Sequence, residues 1–306
     1  MDFRQLRSFV QAVETGSLSR AAQRVRLTQP ALTRQIRLLE QELGTPLLVR
    51  TGRGVRPTPA GEELEARARP ILNEMEALHA DMVAQAATVS GTVRMAFAPS
   101  IGAAVGGALL EHFQGACPAV RVEAVTVLSA VARDALLRGR LDLGVIFLDV
   151  PGPSLRIEPL WTETLCLVAP NRSPWTGRTQ VPFAEAMAEP LILPAREHGL
   201  RAAVEAEAAR RGLAVRVPVE LASMNLQLDL VARGMGCSVF PRAACRLGVA
   251  AGVLRVLDFS DAEIRRQAVL AWARDYPPSR AAAALADMVR RWPEWAGATA
   301  ASLPRR

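Results

Sequence analysis

Hydrophobic positions near the start of the chain recur at the three- to four-residue spacing of amphipathic α-helices. The apolar face of a first predicted helix consists of Phe3, Leu6, Phe9, Val10 and Val13. A shorter second helix directs Leu18, Ala21, Ala22 and Val25 inward, and a third carries the stripe Leu32, Ile36, Leu39 and Leu43. Thr28 is expected to cap the third helix, with Pro30 in its first turn and Gly44 at its end. The pattern predicts three packed helices, the last two joined by the turn 26–28.

The side of the third helix opposite its apolar stripe is polar. At about 100° per residue, this side holds Pro30, Thr33, Arg34 and Arg37, with Gln29 beside them at the N-terminal end. Arginine can bind guanine through two hydrogen bonds, glutamine can bind adenine, and threonine can meet a base edge or a thymine methyl group. Such a face suits the major groove of DNA, although alone it could equally be the solvated side of a small helical bundle.

A glycine-rich turn follows the third helix and separates two short strand patterns. Residues 47–50 and 55–58 predict the strands, and 51–54 predict the turn between them. This ribbon, called the wing below, places three arginines near DNA phosphates or the minor groove: Arg50, Arg53 and Arg56. A basic wing beside a helix-turn-helix favours DNA binding over the solvated-bundle alternative.

A long helix is predicted to begin at Thr58-Pro59 and to carry a narrow apolar seam. Its residues follow alternating steps of four and three: Leu64, Ala68, Ile71, Met75, Leu78 and Met82. Charged residues flank this seam on both sides, which favours pairing with a second copy over packing on the chain's own body. Pro70 lies inside the helix and predicts a kink. We therefore expect a homodimer through a linker helix.

Strand and helix patterns alternate from residue 92 onwards, which predicts parallel sheets covered by helices. The predicted strands are 93–98, 120–125, 141–147, 165–168, 191–193, 215–221 and 237–240, and the helices lie near 102–114, 129–138, 199–211 and 224–233. An extended stretch at 155–164 separates two lobes, a late strand at 267–273 returns to the first, and a final helix covers 279–292. The expected class is α/β with a mainly helical N-terminal domain. Its domains are 1–58, 59–90 and 91–306, with lobe I at about 91–161 and 268–306 and lobe II at about 162–267.

Candidate ligand-binding residues lie where the predicted strands end. Ligands of open parallel sheets bind beyond the carboxyl ends of the strands, close to helix N-termini with free backbone amides. The residues at these positions are Ser100, Ser129, Phe147, Arg196, His198, Arg201 and Met224. They suit a small anionic or polar effector. The alternatives are helix capping by the serines, a solvated loop position for His198, and pairing of the two arginines with Glu197 and Glu205.

The charge of the chain is concentrated in its first fifth. Residues 1–58 contain ten arginines and four acids, a net charge of +6 out of a total of +7. A compact basic segment on a neutral body is typical of a nucleic-acid-binding module. No apolar run has the length of a membrane span, and the N-terminus lacks the pattern of a secretion signal, so we expect a cytoplasmic protein. The four cysteines lack metal-ligand spacing and are expected to be buried, so neither metal nor cofactor is predicted.

The N-terminal segment resembles the DNA-binding domain of LysR-type transcription regulators. The matching stretches are Leu27-Thr28-Gln29-Pro30-Ala31-Leu32-Thr33-Arg34-Gln35-Ile36, Gly44-Thr45-Pro46-Leu47-Leu48-Val49-Arg50 and Thr58-Pro59-Ala60-Gly61. The family often has phenylalanine at the position of Leu48, and serine is commoner than Thr33. The resemblance implies that Gln29, Pro30, Thr33 and Arg34 contact the major groove and that Arg50 anchors the wing. It also implies lobes like those of periplasmic binding proteins and a dimer of dimers.

The wing looks closest to the nitrogen-assimilation and cysteine-regulon branch of this family. In the C-terminal half the resemblance rests on shorter pieces, such as Gly139-Arg140-Leu141-Asp142-Leu143. We therefore expect a sequence-specific regulator that binds double-stranded promoter DNA and responds to a small polar or anionic metabolite bound between the lobes. RNA polymerase is a candidate partner.

Two other functions compete with this expectation. A regulator that binds DNA constitutively would need no effector, and apolar residues at the cleft would favour it. A solute-binding protein would account for two lobes but not for the basic helix-turn-helix. An enzyme is not expected, because the three histidines lack metal-binding spacing and no Gly-x-Ser-x-Gly motif occurs.

Overall fold

The computed structural model describes residues 1–52, 54–83, 89–147, 154–196 and 198–292. The chain begins with three helices, α1 (Phe3–Thr15), α2 (Leu18–Arg24) and α3 (Gln29–Leu43), followed by an antiparallel ribbon of β1 (Leu48–Thr51) and β2 (Gly54–Pro57). The predicted helices and wing are confirmed. Thr28 caps α3 as expected, since its hydroxyl accepts a hydrogen bond from the N–H of Ala31.

The wing lies close against the helices at two glycines. A Cβ atom on Gly54 would lie 2.1 Å from the carbonyl oxygen of Gly16, and one on Gly61 would lie 2.1 Å from that of Leu47. Gly54 also has a φ of +135°, which a residue with a side chain rarely adopts. A side chain at either glycine would therefore displace the wing from the domain.

The linker helix, α4 (Pro59–Val83), contains Pro70 and packs its first half on the helix-turn-helix domain. Ala68 is 1% exposed in that core, and Leu64 packs against it. The prediction that the whole seam faces a partner is therefore wrong for these two residues, which the chain's own helices cover. The middle of the seam is open to solvent, with exposed fractions of 48% for Ile71, 41% for Met75 and 58% for Leu78. The side chain of Met82 lies outside the described part.

In the described residues, the C-terminal domain contains an eight-stranded mixed sheet and a separate parallel pair of short strands in lobe II. In lobe I, β3 (Gly91–Phe97) pairs in parallel with β4 (Val120–Thr126) and β5 (Leu143–Phe147). A helical run precedes β4, made of α5 (Pro99–Ile101), a π turn (Gly102–Gly106) and α6 (Gly107–Ala116), and α7 (Ser129–Leu137) precedes β5. The strands β6 (Leu155–Pro170) and β12 (Arg265–Ala273) are antiparallel, which corrects the expectation of parallel sheets.

The long strand β6 connects the two lobes. Its first part pairs with β12, and its end pairs with β10 (Ser238–Pro241) and β11 (Leu254–Phe259) in lobe II. The rest of lobe II comprises β7 (Gln180–Val181), α8 (Phe183–Met187), β8 (Ile192–Leu193), α9 (Gly199–Arg210), β9 (Val219–Glu220), α10 (Met224–Ala232), a 3-10 turn (Arg242–Cys245) and α11 (Arg246–Ala250). The final helix, α12 (Arg280–Arg291), returns to lobe I.

Each lobe has its own apolar core. In lobe I, helices cover both faces of the sheet, with Phe113 and Leu285 on one side and Leu136 on the other. Lobe II has one larger core, which contains Cys166, Cys237 and Cys245, so burial is confirmed for three of the four cysteines, whereas Cys117 is only half-buried. No helix in the described residues combines the length and the apolar composition that a bilayer crossing requires.

Candidate DNA-binding surface and interlobe cavity

The predicted recognition residues lie together on α3. Gln29, Pro30, Thr33, Arg34 and Arg37 line one shallow depression at the surface of the helix-turn-helix domain. Gln29 is oriented from α2, because its side-chain oxygen accepts a hydrogen bond of 2.8 Å from the Ser19 hydroxyl. Among the described residues, the guanidinium groups of Arg34 and Arg37 have no hydrogen-bond or ion-pair partner. Their donors are therefore available to a nucleic acid.

The wing presents its arginines on two sides. Arg50 and Arg56 are both exposed, but Arg50 lies opposite Val55 in the ribbon and Arg56 opposite Val49. Because neighbouring residues of a strand alternate between faces, the two arginines point to opposite faces of the wing. They can therefore contact different parts of a duplex. Arg53 lies outside the described residues.

Five of the seven predicted effector residues meet in one cavity between the lobes. Ser100, Ser129 and Phe147 belong to lobe I, and His198 and Met224 belong to lobe II. This interlobe cavity is also lined by Pro194, Gln227, Phe240 and Arg266, among others. Its volume of about 30 Å³ matches about one water molecule, so the cavity must widen before it can hold a small organic ligand.

Arg196 and Arg201 do not line this cavity, and their predicted placement there is wrong. The guanidinium group of Arg201 is buried and donates hydrogen bonds to Glu205 at 2.8 Å and to Glu220 at 2.6 Å. Arg196 is exposed, and its Nε lies 3.9 Å from a Glu205 oxygen. The physical reason is the alternative raised from the sequence, since a carboxylate one helical turn from Arg201 neutralises it. Glu197 lies outside the described residues.

The serines do not cap their helices. The N-cap positions of α5 and α7 are Ala98 and Leu128, and neither helix start has a side-chain cap. Instead, the Ser129 oxygen accepts a hydrogen bond of 3.1 Å from the N–H of Phe147, and the Ser100 oxygen accepts one of 3.3 Å from Arg266. No described residue accepts the hydroxyl hydrogen of either serine, so both can donate to a ligand.

His198 adds a third donor to the interlobe cavity. Its Nδ1 accepts a hydrogen bond of 3.1 Å from the N–H of Leu200, where it caps α9. Burial lowers the pKa of His198 to about 4, helped by the positive charge of Arg266. The imidazole is therefore neutral near pH 7, and with Nδ1 accepting, its proton resides on Nε2.

Arg266, which lines the cavity, belongs to a buried ion pair between the lobe-connecting strands. Arg266 on β12 lies directly across from Glu163 on β6, and its Nε donates to Glu163 at 3.1 Å. The guanidinium carbon of Arg266 also lies 3.9 Å from the centre of the Phe147 ring. Burial raises the pKa of Glu163, although Arg266 partly offsets this effect. Sequence reasoning missed both residues, because other ionisable residues lie on the same strands, Arg156 and Glu158 on β6 and Arg265 on β12, and no single charge stands out.

The described residues hold no cluster of histidine, cysteine or acidic side chains that could bind a metal ion. Burial raises the pKa of the thiols of Cys166, Cys237 and Cys245 to about 12 in each case. These thiols therefore stay protonated near neutral pH, which makes them poor nucleophiles and poor metal ligands.

Comparison with known proteins gives two family matches that together span most of the chain. Residues 3–62 match the model of the bacterial regulatory helix-turn-helix proteins of the lysR family, and residues 86–294 match the LysR substrate binding domain. The nitrogen assimilation regulatory protein nac of Klebsiella aerogenes is 34% identical over 247 residues, which are 80% of each chain. A probable hydrogen peroxide-inducible genes activator of Streptomyces viridosporus is 31% identical over 94% of this chain and 95% of its own. Among solved structures, a full-length OxyR variant from Pseudomonas aeruginosa superposes with a TM-score of 0.78 at 26% identity, covering 99% of both chains.

Proposed function

The chain belongs to the LysR family of bacterial transcription regulators, and from this premise we propose that a small polar or anionic metabolite bound in the interlobe cavity controls it. The family consists of DNA-binding regulators rather than enzymes. The convergence of Ser100, Ser129 and His198 with Arg266 carries the proposal, because these four donors line one cavity contributed by both lobes. A constitutive regulator would have no use for donors at Ser100, Ser129 and His198 that no described residue accepts.

The hydrogen bonds that the cavity residues already make indicate which chemical groups a ligand should carry. Ser129 and His198 each accept a backbone N–H, and Ser100 accepts an N–H of Arg266, so each retains a hydrogen to donate. The charge of Arg266 is balanced by Glu163. The cavity therefore suits an acceptor-rich ligand such as a small carboxylate, whose apolar part would contact Phe147 and Met224. An amine would meet no carboxylate among the described residues that line the cavity, and only the second lone pairs of the two serine oxygens could accept from it.

Binding between the lobes supplies a physical route to regulation. A ligand that contacts both lobes stabilises one angle between them, and it shifts the equilibrium by the difference between its affinities for the two states. Because the cavity is too small for an organic molecule in this conformation, we propose that the bound state has a wider angle between the lobes. The changed angle would alter the spacing of paired DNA-binding domains and hence the bend of the promoter.

We expect Ser129→Ala to weaken binding of the effector about tenfold, because one hydrogen bond to it would be lost. The measurement is a thermal-shift screen of the full-length protein with small carboxylates and the corresponding amides and amines, followed by titration. Arg196→Ala is the matched control, since Arg196 is exposed and does not line the cavity. An unchanged affinity in both Ser129→Ala and Ser100→Ala would place the effector elsewhere, and no response to any carboxylate would favour constitutive DNA binding.

The surface of α3 and the wing is proposed to bind double-stranded promoter DNA through the groove-facing residues already named. Gln29, Thr33, Arg34 and Arg37 offer the hydrogen-bonding groups that read base edges, and Pro30 shapes the helix start beside them. Arg50 and Arg56 are placed for phosphate or minor-groove contact, and Arg53 is proposed from its sequence position. A regulator bound at a promoter acts in the cytoplasm, where RNA polymerase is a candidate partner.

The open part of the linker seam is proposed as a dimer contact. Ile71, Met75 and Leu78 are exposed on α4 and line a groove of about 640 Å³ between this helix and lobe I. Contiguous exposed apolar residues on a helix mark a surface for a partner, here a second copy. The seam is therefore proposed to begin at Ile71 rather than at Leu64, and a further contact between C-terminal domains would complete a dimer of dimers.

Ile71→Asp is expected to reduce the assembly at least to half its wild-type mass, because a charge would enter the apolar contact. Sedimentation velocity of the full-length protein measures this mass. Arg67→Asp serves as the control, since Arg67 is exposed on the same helix and pairs only with Glu63 among the described residues. A monomeric wild type, or an unchanged mass for Ile71→Asp, would contradict the proposed contact.

A further inference from the structure

A line of alternating charges connects the helix-turn-helix domain to lobe I through the linker helix. Glu65 and Arg69, one turn apart on α4, form its centre, and the Arg69 NH2 group donates to Glu65 at 2.6 Å. Arg69 also donates to Glu14 on α1. The second carboxylate oxygen of Glu65 accepts a hydrogen bond of 2.6 Å from Arg140, in the turn that follows α7. The buried Glu65 carboxylate is therefore hydrogen-bonded to one arginine of the linker helix, Arg69, and to one of lobe I, Arg140.

The burial of Glu65 makes this arrangement more than a surface contact. Its side chain is only 4% exposed, and that of Arg69 is 7% exposed, whereas that of Arg140 is 44% exposed. A carboxylate removed from water needs partners for its charge, and the bond to Arg140 supplies one of only two ionic partners among the described residues. The bond between Glu65 and Arg140 is the one that can open, because the exposed guanidinium of Arg140 would then be solvated by water.

A second polar contact lies one to two turns further along α4. The Asn73 amide donates to the carbonyl oxygen of Gly139 at 2.9 Å and accepts from Arg94 on β3 at 3.1 Å. Glu76 lies between Arg7 of α1, at 3.2 Å, and Arg94, at 3.8 Å. The contacts of Glu76 therefore run from α1 through the linker helix to lobe I, as do those of Glu65 and Arg69.

The backbone between these two contacts is shaped for close approach. Gly139 has a φ of +62°, and a Cβ atom there would lie 3.0 Å from Cγ of Pro70. The turn that carries Arg140 therefore rests directly on the linker helix at its proline, where one backbone N–H is missing and the helix bends most easily.

The strands that leave this contact end at the interlobe cavity. β3 carries Arg94 at its middle and leads to Ser100, and β5 follows the Arg140 turn and ends at Phe147. The two strands are hydrogen-bonded neighbours and behave as one piece of sheet. A displacement of lobe I therefore moves the cavity wall and the contact with the linker helix together.

We propose that Glu14, Arg69, Glu65 and Arg140 form an interdomain latch, in which the Glu65–Arg140 bond fixes the angle between the DNA-binding domain and lobe I. When that bond opens, Glu65 keeps its bond to Arg69, so the linker helix and helix-turn-helix domain move away from lobe I as one unit. Arg140 is a positioning residue in this device and contacts neither DNA nor effector. The latch goes beyond the effector proposal and does not depend on which ligand, if any, the cavity binds.

The test is hydrogen exchange by mass spectrometry on the full-length protein without DNA or effector. Arg140→Gln is expected to raise amide exchange at least about threefold in 66–76 of α4 and in 138–142, with α2 and α12 unchanged. Arg140→Lys, which keeps the charge, should stay close to wild type. Arg138→Gln is the matched control, because Arg138 lies in the same turn but pairs with Asp134 inside lobe I.

Equal exchange in wild type and Arg140→Gln would overturn the latch, and so would an equal rise in Arg138→Gln. If Arg140→Gln destabilises the whole chain, Asn73→Ala opens the neighbouring contact by another route and is expected to raise exchange in the same two segments. No rise in Asn73→Ala would then overturn the proposal. DNA affinity and ligand binding do not enter these measurements, so a failure of the effector proposal leaves this test unaffected.

Discussion

Replacing Arg34 with alanine is expected to remove most of the sequence preference of the protein for DNA. Arg34 projects from the recognition face of α3 beside Gln29 and Thr33, and its guanidinium has no partner among the described residues. A bidentate contact from arginine to guanine discriminates against a wrong base by about 1–3 kcal/mol, which is roughly a tenfold to hundredfold loss in specific affinity. Affinity for unrelated DNA should fall much less.

The measurement begins with selection of preferred duplexes from random DNA by the wild-type protein. Affinities of wild type and Arg34→Ala for selected and random duplexes are then compared over a range of salt concentrations. Arg56→Ala, on the wing, is expected to weaken all sequences evenly and to reduce the salt slope by about one. Arg67→Ala controls for charge, since Arg67 lies on the linker helix away from both surfaces. If Arg34→Ala keeps its specific affinity within about twofold, α3 is not the reading helix.

Replacing Arg266 with methionine is expected to lower the free energy of unfolding of the C-terminal domain by about 3–5 kcal/mol. Glu163 is 4% exposed and would remain in place without its counterion. The double replacement Arg266→Met with Glu163→Leu should lower the free energy of unfolding less than Arg266→Met alone, because it leaves no buried charge without a counterion. Arg265→Met is the control, since Arg265 is the adjacent exposed residue on β12.

The loss of unfolding free energy in Arg266→Met should also depend on pH. Burial raises the pKa of Glu163 even beside Arg266, and without Arg266 this pKa rises further. A carboxyl group with a higher pKa in the folded than in the unfolded protein binds more protons when folded, so stability falls as pH rises between those two values. The stability deficit of Arg266→Met should be smallest at pH values below the pKa of Glu163 in the unfolded protein. It should be largest at pH values above the pKa of Glu163 in the folded variant.

Urea unfolding followed by tryptophan fluorescence measures this effect selectively, because all five tryptophans lie in the C-terminal part of the chain. A single variant as stable as wild type at neutral pH, or a deficit that grows towards acid pH, would contradict the role assigned to the pair.

The helix-turn-helix domain was predictable because its signals are local. Thr28 caps α3, Gly16 and Gly44 end their helices with positive φ angles, and the apolar stripes face a common core. Each of these features depends on residues within a few positions of one another, so periodicity and capping rules suffice. The polar face of α3 follows from the same periodicity, since a helix that buries one side must expose the other.

The residues that line the interlobe cavity were predictable in part, for a related reason. Ser100, Ser129 and His198 follow strands or precede helices, and α/β topology brings such positions together whichever strands are neighbours. Arg196 and Arg201 occupy similar positions in the chain, yet neighbouring acids hold them away from the cavity. Whether an arginine faces a ligand or an acid depends on side-chain geometry, which periodicity does not contain.

The sequence by itself determined the three helices, the wing, the basic charge of the N-terminal domain and the family of this protein. Only the tertiary structure decided that β6 and β12 pair in antiparallel, that Arg266 meets Glu163, and that Ala68 packs on the chain's own core. Arg266 and Glu163 stand about a hundred residues apart, so their contact arises from the antiparallel register of β6 and β12 and leaves no periodic trace in either segment. The burial of Ala68 likewise depends on the angle at which α4 crosses α1, which side-chain packing sets and which no heptad pattern specifies.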